Sequence, residues 1–242
     1  MTRTLLFAQR TAREILRDPI NLFFGLGFPV VLLLLLSAIQ HNVPVPLFEP
    51  ASLTPGIALF GLSFLSLFSA QLIAKDRESA FLLRLFTTPL TPFNYILGYI
   101  LPLLPMALAQ SGLCYLTALL LGLAPSASIL LAILAALPAS LFFLAVGLLC
   151  GSLLSVKAAG GLCGALLTNL TAWLSGAWFD VSLVGGPFEA AANALPFLHG
   201  TLLGRAILAG TPAAEHLLWM LGYGILFLML AIWAFRRQMH RV

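Results

Sequence analysis

Residues 127–155 read ASILLAILAALPASLFFLAVGLLCGSLLS, without a single Asp, Glu, Lys, Arg or His. An α-helix rises about 1.5 Å per residue, so about 20 residues cross a hydrocarbon core of about 30 Å. This run is long enough to cross with turns to spare. Five more apolar runs flank it, at 20–39, 53–74, 93–121, 158–179 and 213–235. None carries an acidic or basic residue near its middle, and only Asp180 and Glu215 stand near ends. Each central charge would cost about 2.5–3.5 kcal/mol on insertion scales. Charged residues make up 8% of the 242-residue chain and apolar ones 61%, where a soluble domain carries about a quarter charged. A soluble enzyme, a nucleic-acid-binding domain and a disordered chain are thereby excluded. The expected fold is an all-α integral membrane protein with six transmembrane helices in one domain, 1–242.

The connections sort the charges. Arg3, Arg10, Arg13 and Arg17 precede the first span, and Lys75, Arg77 and Arg84 lie between the second and third. Lys157 joins the fourth to the fifth, and Arg236, Arg237 and Arg241 close the chain. With an N-terminus inside, all of these are cytoplasmic and only Arg205 lies outside. The positive-inside rule therefore places both termini in the cytoplasm. Cys114, Cys150 and Cys163 fall within apolar stretches and read as small packing residues.

Three segments are not plain spans. Residues 2–18 form an amphipathic helix, with Leu5, Ala8, Ala12, Ile15 and Leu16 on one stripe and Arg10, Arg13 and Arg17 opposite. That pattern suits the headgroup layer beside anionic lipid, and Asp18-Pro19 then turns the chain into the first span. Residues 76–88 open with Asp76, Arg77 and Glu78, where acid favours a helix start. From Phe81 to Phe86 they are apolar nearly all round, relieved only by Arg84. Such a surface asks for a protein partner. Residues 186–208 give two short helices broken at Pro196, an outer re-entrant hairpin.

Several chemistries lack their residues. The only lysines, Lys75 and Lys157, follow Ala74 and Val156, so no phosphate-cradling glycine loop ends on either. The spans hold no ion-coupling acid, which argues against a secondary transporter. For an intramembrane protease there is Ser175 in Trp173-Leu174-Ser175-Gly176, with His199 as a base, but Trp173 stands where the motif needs glycine. His41, His199, His216 and His240 form no metal pattern. Asn94, Gln110, Thr117, Thr168 and Asn169 are the polar groups available to line a path. Gly147-x-x-x-Gly151 and Gly160-x-x-x-Gly164 permit close helix approach, within the subunit or across a dimer.

The layout resembles the ABC type-2 transporter permeases over essentially the whole chain. The most specific part is Asp76-Arg77-Glu78, then Leu82-Leu83-Arg84-Leu85, then Thr87-Thr88-Pro89-Leu90-Thr91-Pro92 running to Gly98. A second part is Leu174-Ser175-Gly176-Ala177-Trp178-Phe179, followed by Leu195-Pro196-Phe197-Leu198-His199 and Arg205. Tyr99 departs from the family pattern, which often has a basic residue there.

The resemblance implies that 76–88 is a coupling helix docking on a separate ATP-binding cassette subunit, through Asp76, Arg77, Glu78, Phe81, Leu82, Arg84 and Leu85. It implies that 2–18 is an interfacial elbow. This chain would be no ATPase and would bind no cofactor; ATP and Mg would sit on the partner. Two copies, or one copy and a paralogue, would form the pathway in a prokaryotic inner membrane. The cargo reads as a lipophilic drug, antibiotic or lipid, with a lipid-linked polysaccharide or oligosaccharide as the alternative. Trp173, Trp178, Phe179 and Trp219 keep that alternative open.

Overall fold

The computed structural model describes residues 2–42, 48–79 and 91–239. Phe81, Leu82, Arg84 and Leu85, and most of the expected coupling helix, lie outside them. Among the described residues the chain is helical, with no strand. In order come α1 (Thr2–Leu16), α2 (Pro19–His41), α3 (Pro50–Glu78), α4 (Pro92–Leu120), α5 (Ser128–Leu153) and α6 (156–174). The short α7 (Gly186–Ala194) and α8 (Pro196–Ala209) precede α9 (Ala214–Met239).

Five of these, α2, α3, α4, α5 and α9, are long and apolar enough to cross a membrane. The sixth expected span, 158–179, is not among them. Its helix ends at Leu174, and Lys157, Thr168, Asn169, Thr171 and three glycines dilute its hydropathy. Within it Gly160–Leu167 winds as a π-helix, as does Phe23–Gly27 in α2. Its two ends nevertheless lie at opposite ends of the bundle: Val156 bonds to Glu78, and Gly176 to Arg205.

The starts are chemically ordinary. Asp18 caps α2 by accepting from the Asn21 N–H at 3.1 Å, with Pro19 in the first turn. Thr91 caps α4 and Ser155 caps α6 in the same way.

Helix α3 is the axis of the fold. Almost nine-tenths of its most apolar window is buried, against about a fifth for α9. It is lined with small residues, and the glycines of the other helices close onto it. A Cβ on Gly147 would overlap Ser69 Oγ and the Ser66 carbonyl oxygen, and one on Gly151 would sit 2.9 Å from Ala70 Cα. The first small-residue pair is thus used inside the subunit. Gly161 faces open space, while a Cβ on Gly160 would come within 3.9 Å of Gln71 Nε2 and Gly164 meets Leu67. Ser63, Ser66 and Ser69 donate to the carbonyls of Phe60, Ser63 and Ser66. On α4, Gln110 fits the notch left by Gly61 and donates to the Ala58 carbonyl at 3.2 Å.

At the end away from the termini, the segment after α6 turns through Gly176 (φ 67°) and a short 3-10 turn capped by Asp180. Helices α7 and α8 then form, broken at extended Leu195 before Pro196. α8 is packed into the bundle, Gly200 against Leu59 and Gly204 against Pro55. His199 Nε2 bonds the Asn193 carbonyl at 3.0 Å and its Nδ1 meets His216 Nδ1 at 2.9 Å, tying α8 to α9. A carbonyl only accepts, so His199 carries its proton on Nε2. The three cysteines are buried and free.

Candidate functional site: the basic end of the bundle

Helix α3 does not stop at its charges. Asp76 and Glu78 lie in its last turn, not in the first turn of a following helix, which corrects the expected helix start at 76. Lys75 and Arg77 suit that negative end of the helix. An acid there needs a cation, and the N-terminal helix supplies one. Arg10 grips the Asp76 carboxylate with two bonds, Nη1 to Oδ2 at 2.5 Å and Nη2 to Oδ1 at 2.7 Å. Tyr99 Oη donates to the same Oδ2 at 2.8 Å. Asp76 is thereby buried, its side chain 4% exposed against 37% for Arg10, so its carboxylate faces the protein and not a docking surface.

The neighbours reach the other way. Arg77 donates to the Ser152 carbonyl at 2.6 Å and also to that of Leu154. Glu78 Oε1 accepts from the Val156 N–H at 2.9 Å, and Gln238 of α9 also donates to Ser152. Three consecutive residues thus bind α1, α4, the α5–α6 turn and, through Ser152, α9, immediately before the segment 80–90.

The expected apolar stripe of α1 divides, with Ala8 and Ile15 packed inward and Leu5 and Leu16 outward. Thr4, Phe7, Ala8, Thr11 and Ile15 are buried, whereas Leu5, Leu6 and Leu16 are exposed. Phe7 stands edge-on to Tyr99 (4.9 Å) and Tyr95 (6.0 Å), and a Cβ at Gly98 would overlap its ring. Gly98 therefore serves as the socket for Phe7.

Arg10 also meets Glu14 at 3.0 Å. Burial lowers the Arg10 pKa, but the Asp76 hydrogen bond and the charges of Asp76 and Glu14 more than offset it, so the value is raised. Burial raises Glu14, with Arg10 opposing. Arg13 and Arg17 are exposed and share with Arg10 and Glu14 a cavity of about 380 Å³.

The expected path residues are scattered. Gln110 and Thr168 are buried inside the subunit; Asn94 and Thr117 are half-buried, and Thr117 bonds its own helix at Leu113. Thr168 likewise bonds back to Cys163 across the π-turn. Only Asn169 is exposed, on the α6 face that also shows Leu162, Leu166 and Trp173. Ser175 Oγ accepts from the Ala177 N–H, and no hydrogen bond joins it to His199 among the described residues. Among the described residues no group of three metal-ligating side chains occurs. Tyr99, Glu14 and the turn 152–156 were not anticipated from the sequence; the i, i+4 pair Tyr95 and Tyr99 beside Gly98 was the one local signal available.

Helices long enough to cross a membrane, and one bundle end that carries every basic side chain but Arg205 among the described residues, define a multi-pass membrane protein. A family model described as ABC-2 type transporter matches residues 2–209. The chain belongs to this family, whose membership implies an ATP-binding cassette partner. No curated protein matches the chain significantly.

Proposed function

We propose that this chain is the permease subunit of an exporter, driven by a separate ATP-binding subunit docked at the basic end. The observation that carries this reading is the hub at Asp76, Arg77 and Glu78. Displacement of the end of α3 would reach α1, α4 and the α5–α6 turn through direct hydrogen bonds. Closure of the ATPases on nucleotide would displace that hub and shift the population of pathway states. The chain itself turns over no ATP; ATP and Mg belong to the partner.

In this reading 156–174 is the sixth crossing, its polar and π-helical character tolerated because it faces a second subunit. Two copies, or this chain and a paralogue, enclose the pathway, and Asn169 is its foremost lining residue. Leu5, Leu6 and Leu16 of the elbow enter lipid while Arg13 and Arg17 meet anionic headgroups. Helices α7 and α8 form the outer hairpin. A lipophilic cargo is favoured: Trp219, stacked with His199 (4.6 Å) and Tyr223 (5.8 Å), lines with Tyr223 a cavity of about 370 Å³ whose remaining wall is Leu218, Gly222 and Leu226.

Replacing Phe81, Leu82 and Arg84 together by Asp should lower the amount of co-purifying ATP-binding subunit about tenfold, the equivalent of about 1.4 kcal/mol. Undiminished co-purification would remove the docking assignment. Both termini are placed in the cytoplasm of a prokaryotic inner membrane. Single cysteines at Ser79 and Glu189 should then react with impermeant maleimide from opposite faces in oriented vesicles, and labelling from one face would reverse the assignment.

A further inference from the structure

At the end opposite the basic hub, a cleft of about 620 Å³ opens between the start of α3, the α4–α5 turn and the end of α8. That volume lies within the range of about 300–1,000 Å³ typical of small-molecule sites. Two charged side chains of opposite sign line it, Glu49 and Arg205, and they do not pair with each other. Its apolar wall comes from Pro50, Leu123 and Leu208.

Arg205 is built into the cleft, not draped over it. Its Nε donates to the Ser52 carbonyl and its Nη2 to the Gly176 carbonyl, each at 2.9 Å. These bonds fix the guanidinium plane and leave Nη1 without a protein acceptor among the described residues. Burial depresses the Arg205 pKa, and only the charge of Asp180 opposes it. Two neutral carbonyls and the through-space charge of Asp180 do not offset that desolvation, so Nη1 has room for a directly bonded anion. Glu49, exposed on the other side of the same cleft, holds no side-chain hydrogen bond. A plain anion would be repelled by Glu49, and a plain cation by Arg205. A molecule carrying both charges on a short linker satisfies the two at once.

The geometry points to a binding site for a zwitterionic amphiphile here: phosphate on Arg205, ammonium on Glu49, and an acyl chain along Leu123 and Leu208. Phosphatidylethanolamine of the surrounding leaflet has this chemistry, and soluble phosphoethanolamine shares its head. The site is remote from the hub and does not depend on what the transporter moves.

The test uses the full-length protein in detergent, stripped of lipid, then incubated with phosphatidylethanolamine or phosphatidylglycerol of identical acyl chains. Bound lipid is counted by native mass spectrometry. The wild type should retain phosphatidylethanolamine about tenfold more strongly, about 1.4 kcal/mol. Glu49→Gln should abolish that preference and leave the fold intact, since the Glu49 side chain makes no structural hydrogen bond. Arg205→Lys should weaken both lipids, because a compact ammonium lacks the planar fork that spans two separated carbonyls and still presents Nη1 to a phosphate. Equal retention of both lipids by the wild type, or an unchanged preference in Glu49→Gln, would overturn the assignment. Displacement of the lipid by an equal concentration of soluble phosphoethanolamine would overturn the role of the apolar wall.

Discussion

Replacing Gly147 by alanine should cost about 3 kcal/mol, the upper part of the usual range for overpacking. In an exposed helix the same change stabilises by about 0.5–1 kcal/mol, because glycine carries extra backbone entropy. The sign reverses here because the added carbon would overlap both a side chain, Ser69, and a backbone carbonyl, that of Ser66. A side chain can rotate away; a carbonyl in the middle of α3 cannot. The helices must separate, and every contact between α3 and α5 lengthens together. Ser69→Gly should therefore fail to rescue Gly147→Ala. Gly112→Ala, with nothing within 4 Å of its new carbon, should be neutral or slightly stabilising. Thermal unfolding in mild detergent, followed by size-exclusion chromatography, reads all three. Wild-type melting of Gly147→Ala would mean that α3 and α5 do not pack at this distance.

Arg10→Ala should destabilise the protein by about 3 kcal/mol, and more than Asp76→Asn, for which about 1–2 kcal/mol is expected. The order follows from exposure. Loss of Arg10 strands a carboxylate whose side chain is 4% exposed, with only Tyr99 left as donor. Loss of the Asp76 charge leaves an arginine that is 37% exposed, still beside Glu14, and able to hydrate. The double variant Arg10→Ala/Asp76→Asn should consequently be more stable than Arg10→Ala alone, a coupling that a double-mutant cycle isolates. Additive losses would show that the pair does not act as a unit. The same cycle measured on transport would report whether the elbow moves with the hub.

Much of this arrangement was legible because membrane helices announce themselves by length and charge. The apolar runs located α2, α3, α4, α5 and α9 to within a few residues, and Pro196 marked the break between α7 and α8. The misreadings have physical causes. Helix α1 carries two apolar stripes, and a helical wheel cannot say which faces protein. Phe7 lies off the expected stripe, and it is Gly98, some ninety positions away, that gives its ring a socket. At Asp76 the local rule for acids at helix starts competed with a cation from another helix, and the distant cation won. The span expected at 158–179 ended early because Ser175 and Gly176 turn the chain. Its π-turn leaves no trace in apolar periodicity.

The serines of α3 carry a consequence for how the protein is made. At about 5–20 residues per second, on the order of 10 s separate the synthesis of α3 from that of α5, the helix it packs against most closely. During that interval α3 stands in lipid or the insertion machinery without its principal neighbour. Ser63, Ser66 and Ser69 each donate to a carbonyl three residues earlier in α3 itself, so no hydroxyl waits unsatisfied for a helix not yet translated. The small side chains that later admit Gly147 and Gly151 also make α3 tolerable to the bilayer alone. Serine at these positions thus suits both stages, the helix alone and the helix packed, where Ser69 also reaches the Leu144 carbonyl of α5 at 3.4 Å.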